Sequence, residues 1–440
     1  MTRTALSIIV TVLAVNGLQA ENWPGWRGPG GRSVSSESSF PVSWDAGNVR
    51  WKTPIPGRGH SSPIVWGDRV FLTTSIEGDV VAGREKKPEH KLGGEVFIHP
   101  DMVSHDRTQT MKVIGLDAKS GKVLWQHTAY EGPVADGRHR KGSFASATPV
   151  TDGRHVFVFF GTEGLYAYSV DGALKWKKDL GEIRTLGLGY ATSPLLSGDV
   201  VIVQCDEDNG EKSFIAAFDK ATGKEAWRQS RKVQSSWATP VLADVGGRAE
   251  LITAGSESTI AYDPQTGREL WRTKGVGSNA IPSPVYGDGI VYVTAGYPNK
   301  SVLAIRHGWP AGSKNAGASA EILWTRARGT AYVTSPILVG DSLYISTDRG
   351  VLTNLDAKTG DARYEGGRVP VPASFTASMV AFGDKILQAS EDGDVFVIQA
   401  GPTHKVIATN HLGEPILASP ALSNGVIYIR GEQHLYAIGK

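Results

Sequence analysis

Four consecutive residues, Arg138, His139, Arg140 and Lys141, stand in the string GRHRKGSF at 137–144. Guanidinium, imidazole and ammonium groups at that density can hold a carboxylate or phosphate, the guanidinium in a bidentate fork. Related short strings recur along the chain. GRGHS (57–61) carries Arg58 and His60, and RARGTAY (326–332) carries Arg326, Arg328 and Tyr332. Tyr190 closes LGLGY, Trp237 closes VQSSW, Asn279 lies in GSNAI and Phe375 closes VPASF, while Glu414 in HLGEPI is the clearest acid of the set. Flat aromatic faces suit a ring or a sugar. The chemistry these residues offer is capture rather than turnover, because no serine-nucleophile motif, P-loop or CxxC is present. Asp206 and Asp208 in DEDNG resemble the start of a calcium loop. The glycine and glutamate that complete such a loop do not follow, so these two are only weak candidates and no metal is expected. His90, His99, His105, Asp101 and Asp106 match no zinc spacing.

The elements that position these strings are repeats. SSPIVWGDRVFLTT (61–74) returns as SATPVTDGRHVFVFF (146–160), TSPLLSGDVVIVQ (192–204), ATPVLADVGGRAELITA (238–254), PSPVYGDGIVYVTA (282–295) and TSPILVGDSLYIST (334–347). Weaker copies are ASMVAFGDKILQAS (377–390) and ASPALSNGVIYIR (418–430), which makes eight. Most steps are roughly 41–52 residues, the range of propeller blades and helical arrays. Alternating apolar and polar residues broken by Gly-Asp or Asp-Gly turns exclude the helical arrays. Each unit reads as four antiparallel strands: A at P-x-V, B at V-F-L-T, C ending in L-D-A, and D carrying a tryptophan. Such a unit cannot bury both faces alone, whereas eight packed radially can. The fold class is therefore all-β, an eight-bladed propeller.

The eighth copy stops after strand C at HLYAIGK (434–440). Its missing strand D is NVRWKT at 48–53, so an N-terminal strand is expected to close the last blade and remove two open edges. Residues 48–440 form one propeller. Residues 21–47, rich in Gly, Pro and Ser but carrying Trp23, Trp26 and Trp44, are expected to be an irregular wrap pinned on a surface. Residues 1–20 read as a secretory signal cleaved after Ala20, without a lipidation cysteine. The only cysteine is Cys205, which rules out an intrachain disulfide. Export without disulfides points to a periplasmic or secreted location. A formal net charge of +2 leaves no electrostatic footprint for nucleic acid, and no transmembrane segment is expected after cleavage. The D–A and B–C loops share one face of such a ring, so Arg58, His60, Arg138, His139, Arg140, Lys141, Tyr190, Trp237, Asn279, Arg326, Arg328, Tyr332 and Phe375 are expected to converge on the central mouth. An insertion at 77–110 in blade 1 has the length to cover that mouth, and a second, at 306–321, interrupts blade 5.

LDAKSGKVLW (116–125), FDKATGKEAW (218–227) and YDPQTGRELW (262–271) resemble the tryptophan-docking repeat of pyrroloquinoline quinone (PQQ)-type propellers. LDAKTGDARY (355–364) is a degenerate copy and YSVDGALKW (168–176) a shortened one. The resemblance implies that Trp51, Trp125, Trp176, Trp227, Trp271 and Trp324 dock neighbouring blades. It implies one of two functions. In one branch, which includes the BamB-like propellers, the fold is a non-enzymatic binding or scaffolding module. Its partner would be an envelope or extracellular protein, or an anionic small ligand or saccharide, with no cofactor. In the other branch it is a quinoprotein oxidoreductase of the alcohol or sugar dehydrogenase kind, using PQQ with Ca2+, here lacking the vicinal disulfide. The first is the expected reading and the second its alternative.

Overall fold

A computed structural model of the chain describes residues 21–308 and 319–440. The expected signal segment at 1–20 lies outside the described residues, as does the centre of the second insertion. Eight antiparallel four-stranded sheets follow one another along the chain. Blade 1 is built from Ile64–Trp66, Arg69–Val80, Arg107–Asp117 and Val123–Pro133. Blade 8 takes Ala421–Ser423, Val426–Arg430 and His434–Ile438 from the C-terminal end and Val49–Pro54 from the N-terminal end. The two ends pair antiparallel, with Trp51 opposite Ala437 and Lys52 opposite Tyr436, so the ring closes as the repeat pattern requires.

The docking repeat has a physical explanation in which its glycine and its tryptophan serve different junctions. The Trp51 indole of blade 8 donates to the Ala118 carbonyl of blade 1, at 3.0 Å. Its ring lies on Gly121, whose φ of +71° suits the turn, and where a Cβ would stand 2.5 Å from the indole. Trp125 bonds the Val170 carbonyl of blade 2, Trp176 the Lys220 carbonyl of blade 3, Trp227 the Pro264 carbonyl of blade 4 and Trp324 the Ala357 carbonyl of blade 6. Most of these turns are closed by their own aspartate, as when Asp117 accepts from the Ser120 amide and hydroxyl, while Ser169 takes that role in blade 2.

Trp271 departs from the expectation. Strand C of blade 5 runs on to Gly308, paired with Ser319, and replaces the turn that would receive the indole. Trp271 instead donates to the buried Glu250 carboxylate of its own blade, which also takes His307 Nδ1 of blade 5, both at 2.8 Å. The ends of the 306–321 insertion are therefore paired strand.

The wrap at 21–47 also departs from the expectation, because it threads the axis rather than a surface. Trp23 exchanges two backbone bonds with Val65 of blade 1, and the Pro24 carbonyl accepts from Thr151 of blade 2. The Trp26 indole donates to Ser283 of blade 5, and Arg27 Nη2 to the Pro336 carbonyl of blade 6. Val34–Ser35 pairs in parallel with the innermost strand of blade 7, and the Glu21 carbonyl accepts from Ser423 of blade 8. A segment that touches innermost strands on opposite sides of the ring lies inside the channel. It supplies Trp23 and Phe40 to the largest apolar cluster. It leaves along the junction of blades 7 and 8, where no tryptophan docks and Asn410 instead clasps the backbone of Val42 and Trp44.

Candidate functional site

Above the plug the channel widens into a cavity of about 150 Å3 that opens on the D–A face. Trp26 floors it, and the walls carry a hydroxyl from nearly every blade, including Ser193, Thr239, Ser335, Ser378 and Ser419. These hydroxyls are part of the frame. At six junctions the backbone N–H of one blade donates to the hydroxyl of the next, at 2.8–3.0 Å: Ser62 to Thr148, Thr148 to Ser193, Ser193 to Thr239, Ser283 to Ser335, Ser335 to Ser378 and Ser378 to Ser419. The signal was present in the sequence as the Ser or Thr that precedes proline in the A-strand repeats, with methionine in place of proline after Ser378. It served there only to mark strand A.

Of the expected mouth residues, only His60 and Trp237 line this cavity. Trp237 is fixed by its indole bond to the Gly189 carbonyl. His60 is buried, and burial followed by the charges of Arg58, Arg138 and Arg430 pushes its pKa down to about 3. The imidazole is therefore neutral at physiological pH. Arg58 and Arg138 stand together beside it and line a second cavity. Arg138 donates to three carbonyls of its own loop and lies 3.5 Å from Glu77.

The remaining cations are neutralised by acids from B–C loops and the insertion, which reading the D–A loops alone could not supply. Asp101 takes Arg140 at 3.0 Å and His139 at 3.5 Å. Lys141 pairs with Glu391 of blade 7 at 2.8 Å, so the 137–144 loop, rather than the insertion, reaches across the mouth. Arg326 and Arg328 both pair with Glu365 on a D strand, at the outer rim, and do not join the others. Tyr190 packs edge-on against Phe159 and donates to the Gln204 carbonyl. Phe375 is core, against Phe396. Tyr332 packs on Tyr297, and Asn279 sits half-buried in its loop. The basic aromatic ring is thus not assembled; its place is taken by a basic corner at blades 8, 1 and 2.

The insertion folds beside the mouth, over blades 1 to 3. Strand B extends to Val80 and strand C begins at Arg107, so sheet replaces both ends of the expected loop. Between them His90–Leu92 and Glu95–Phe97 form a hairpin, and Met102–Val103 pairs with Arg138–His139. His90 is its anchor. The buried imidazole bonds Asp208 at 2.8 Å through Nδ1 and lies 3.2 Å from Asp136 through Nε2. Burial alone would lower its pKa, but the hydrogen bonds and charges of the two carboxylates outweigh that and raise it to about 9. Asp208 is therefore a clasp and not a calcium ligand. Asp206 is likewise committed, to the fully buried Arg231, Ser236 and Gln204. No group of three metal-ligating side chains occurs among the described residues.

The exposed surface of this insertion mixes aliphatic side chains with charged ones such as Lys91 and Glu95. Val80, Leu92, Val96 and Ile98 are exposed, with Val96 at 66%. On the D–A face a cleft of about 520 Å3 is lined by Arg349, Asp392 and the 368–374 loop with its exposed Val371. A planar tricarboxylate of the size of PQQ does not fit the central cavity, since drug-sized ligands occupy pockets of about 300–1,000 Å3. The one thiol, Cys205, is buried in blade 3, and burial pushes it up to about 12.

Residues 211–365 match the family model described as outer membrane protein assembly factor BamB. A curated outer membrane protein assembly factor BamB from Burkholderia pseudomallei (strain K96243) is 28% identical over 110 residues, which is 24% of this chain and 28% of that protein's length. The crystal structure of BamB from Moraxella catarrhalis superposes with a TM-score of 0.55 at 16% identity, over 83% of this chain and 99% of that one. Quinohaemoprotein alcohol dehydrogenase from Comamonas testosteroni superposes with a TM-score of 0.62 at 12% identity, over 95% of this chain and 81% of that one. Among the described residues no helix is long and apolar enough to cross a membrane. Ring closure, tryptophan-docking turns and these matches agree: the chain is an eight-bladed β-propeller, similar to BamB in sequence over its middle third and to BamB and a quinohaemoprotein alcohol dehydrogenase in fold.

Proposed function

We propose that this chain is an exported binding propeller that captures a segment of an envelope protein on the face built from the D–A loops and the blade-1 insertion. One observation carries the reading. The insertion is held by a buried, doubly paired histidine, yet it presents Val80, Leu92, Val96 and Ile98 to solvent. A rigid element that leaves aliphatic side chains exposed is suited to a partner that covers them. The match to an outer membrane assembly factor supports a protein partner and an envelope location. The paired state of most cations around the mouth argues for those aliphatic side chains over a broad electrostatic surface.

A photocrosslinking residue at Val96, and another at Lys119 on the C–D turn of the opposite face, tests this in cells. The expected result is a discrete adduct with an envelope protein from position 96 and none from 119, the adduct being lost when I98E is added with an unchanged melting temperature. Equal adducts from both positions, or none from 96, overturn it. The oxidoreductase alternative rests on likeness of fold, and the central cavity is small for its cofactor. Titration with PQQ and Ca2+ checks it by cofactor absorbance.

A further inference from the structure

The basic corner of the mouth holds more cationic donors than it has acceptors. A cavity of about 200 Å3 lies there between Gly57, Arg58, Ser75, Glu77, Gln109, Arg138, Ser143 and Phe144. Gln109 is 2% exposed; its Oε1 accepts from Ser75 at 2.8 Å, while its Nε2 donors have no partner. Arg58 bonds only the Arg140 carbonyl through Nη1, and its buried Nε has no partner. Behind them, Arg430 is 1% exposed and none of its three guanidinium nitrogens meets an acceptor among the described residues. His60 Nε2 is buried and unpartnered as well. The acid at the cavity wall, Glu77, is already committed to Ser104, Arg107 and Arg138. Glu414, on the far side of Arg430, is filled by the Gln433 amide, His434 and Tyr436.

Buried donors and a buried guanidinium left without acceptors are costly, and native structures satisfy them. The contrast within the molecule is informative: Arg231, equally buried, has Asp206, Thr253 and a ring beneath it. We propose that the cavity between Arg58, Gln109, Arg138 and Ser143 is an oxyanion site, binding a single carboxylate or phosphate group through Arg58 Nε and Gln109 Nε2. The space holds one such group together with several waters, a water's share being about 30 Å3. Arg430 and Arg138 supply the surrounding positive field. The site does not depend on the protein-binding reading, since a free anion needs no partner.

Calorimetric titration of the full-length protein tests it, with inorganic phosphate, acetate and a capped hexaglutamate peptide at constant ionic strength in chloride. The expected result is saturable binding of one of these probes. Q109E, which conserves volume but removes the donor, should weaken it about tenfold or more, as should R58Q, the effect of one charge-assisted hydrogen bond. R328Q, on the outer rim, should leave it unchanged. Binding of phosphate or acetate identifies a free ligand; binding of the peptide alone identifies a partner's acidic side chain. The His60 ring resonances, followed at fixed neutral pH, give a local readout that a folding defect elsewhere does not mimic, because an anion bound beside the ring shifts them. No binding of any probe, equal binding by Q109E and R58Q with wild-type melting, or His60 resonances that ignore the probe overturns the proposal.

Discussion

At the scale of single residues, His90 decides whether the blade-1 insertion stays docked. Its pKa rises from 6.5 to about 9 on folding. The charged imidazole therefore stabilises fully below pH 6.5, and that contribution disappears as pH rises through about 9. Substituting His90→Ala leaves Asp136 and Asp208 facing each other without a cation, a loss of about 3 kcal/mol. Hydrogen exchange of the 90–97 hairpin reads both effects. Exchange should accelerate in wild type above pH 9, and in H90A already at pH 7, while blade 6 amides stay protected. Protection of the hairpin that is indifferent to pH and to the substitution would show that the aliphatic tip is held by packing alone. Arg231 with Asp206 makes the complementary case: a buried ion pair in which the guanidinium lies 2.8 Å from one carboxylate oxygen while Ser236 and Gln204 donate to the other.

At the scale of elements, four junctions between blades (1/2, 2/3, 3/4 and 5/6) have both an outer and an inner fastening. Outside, an indole reaches a turn carbonyl; inside, an N–H reaches a hydroxyl of the next blade. Replacing Ser378→Ala strips the acceptor from the buried Ser335 N–H. The expected cost is about 1–3 kcal/mol, the penalty of an orphaned buried donor. Denaturant melts measure it, and S378T, which restores a hydroxyl, should recover most of the loss.

The same two fastenings show what was legible in the sequence. LDAKSGKVLW carries aspartate, glycine and tryptophan within ten residues, so turn, platform and docking ring could all be read from one string. Trp271 failed to follow because its platform belongs to the next blade, where strand C runs through the position of the turn. Site residues were less legible for a related reason. Arg140, Lys141 and Arg328 were visible as cations, but Asp101, Glu391 and Glu365, which neutralise them, come from other loops and blades. Only the folded ring brings them together.

At the scale of the whole molecule, one N-terminal stretch does two separable jobs. Residues 21–47 plug the channel, and Val49–Pro54 completes blade 8 and carries Trp51 to Gly121. A chain lacking residues 1–47 keeps the closing strand, its pairs with Leu435, Tyr436, Ala437 and Ile438, and the indole bond to Ala118. It loses the core contributions of Trp23 and Phe40, and the removal of each large buried aromatic costs about 3–5 kcal/mol. It should melt cooperatively at a lower temperature, with the 434–438 amides still protected. A chain lacking residues 1–54 also loses the strand. His434–Ile438 then becomes an open edge of buried residues, a template for pairing with a second molecule. Its 434–438 amides should exchange early, and size-exclusion chromatography should show self-association absent from the shorter deletion. Equal protection at 434–438 in the two deletions would mean that this strand is held by its pairing with Val426–Arg430 within blade 8 rather than by the N-terminal strand.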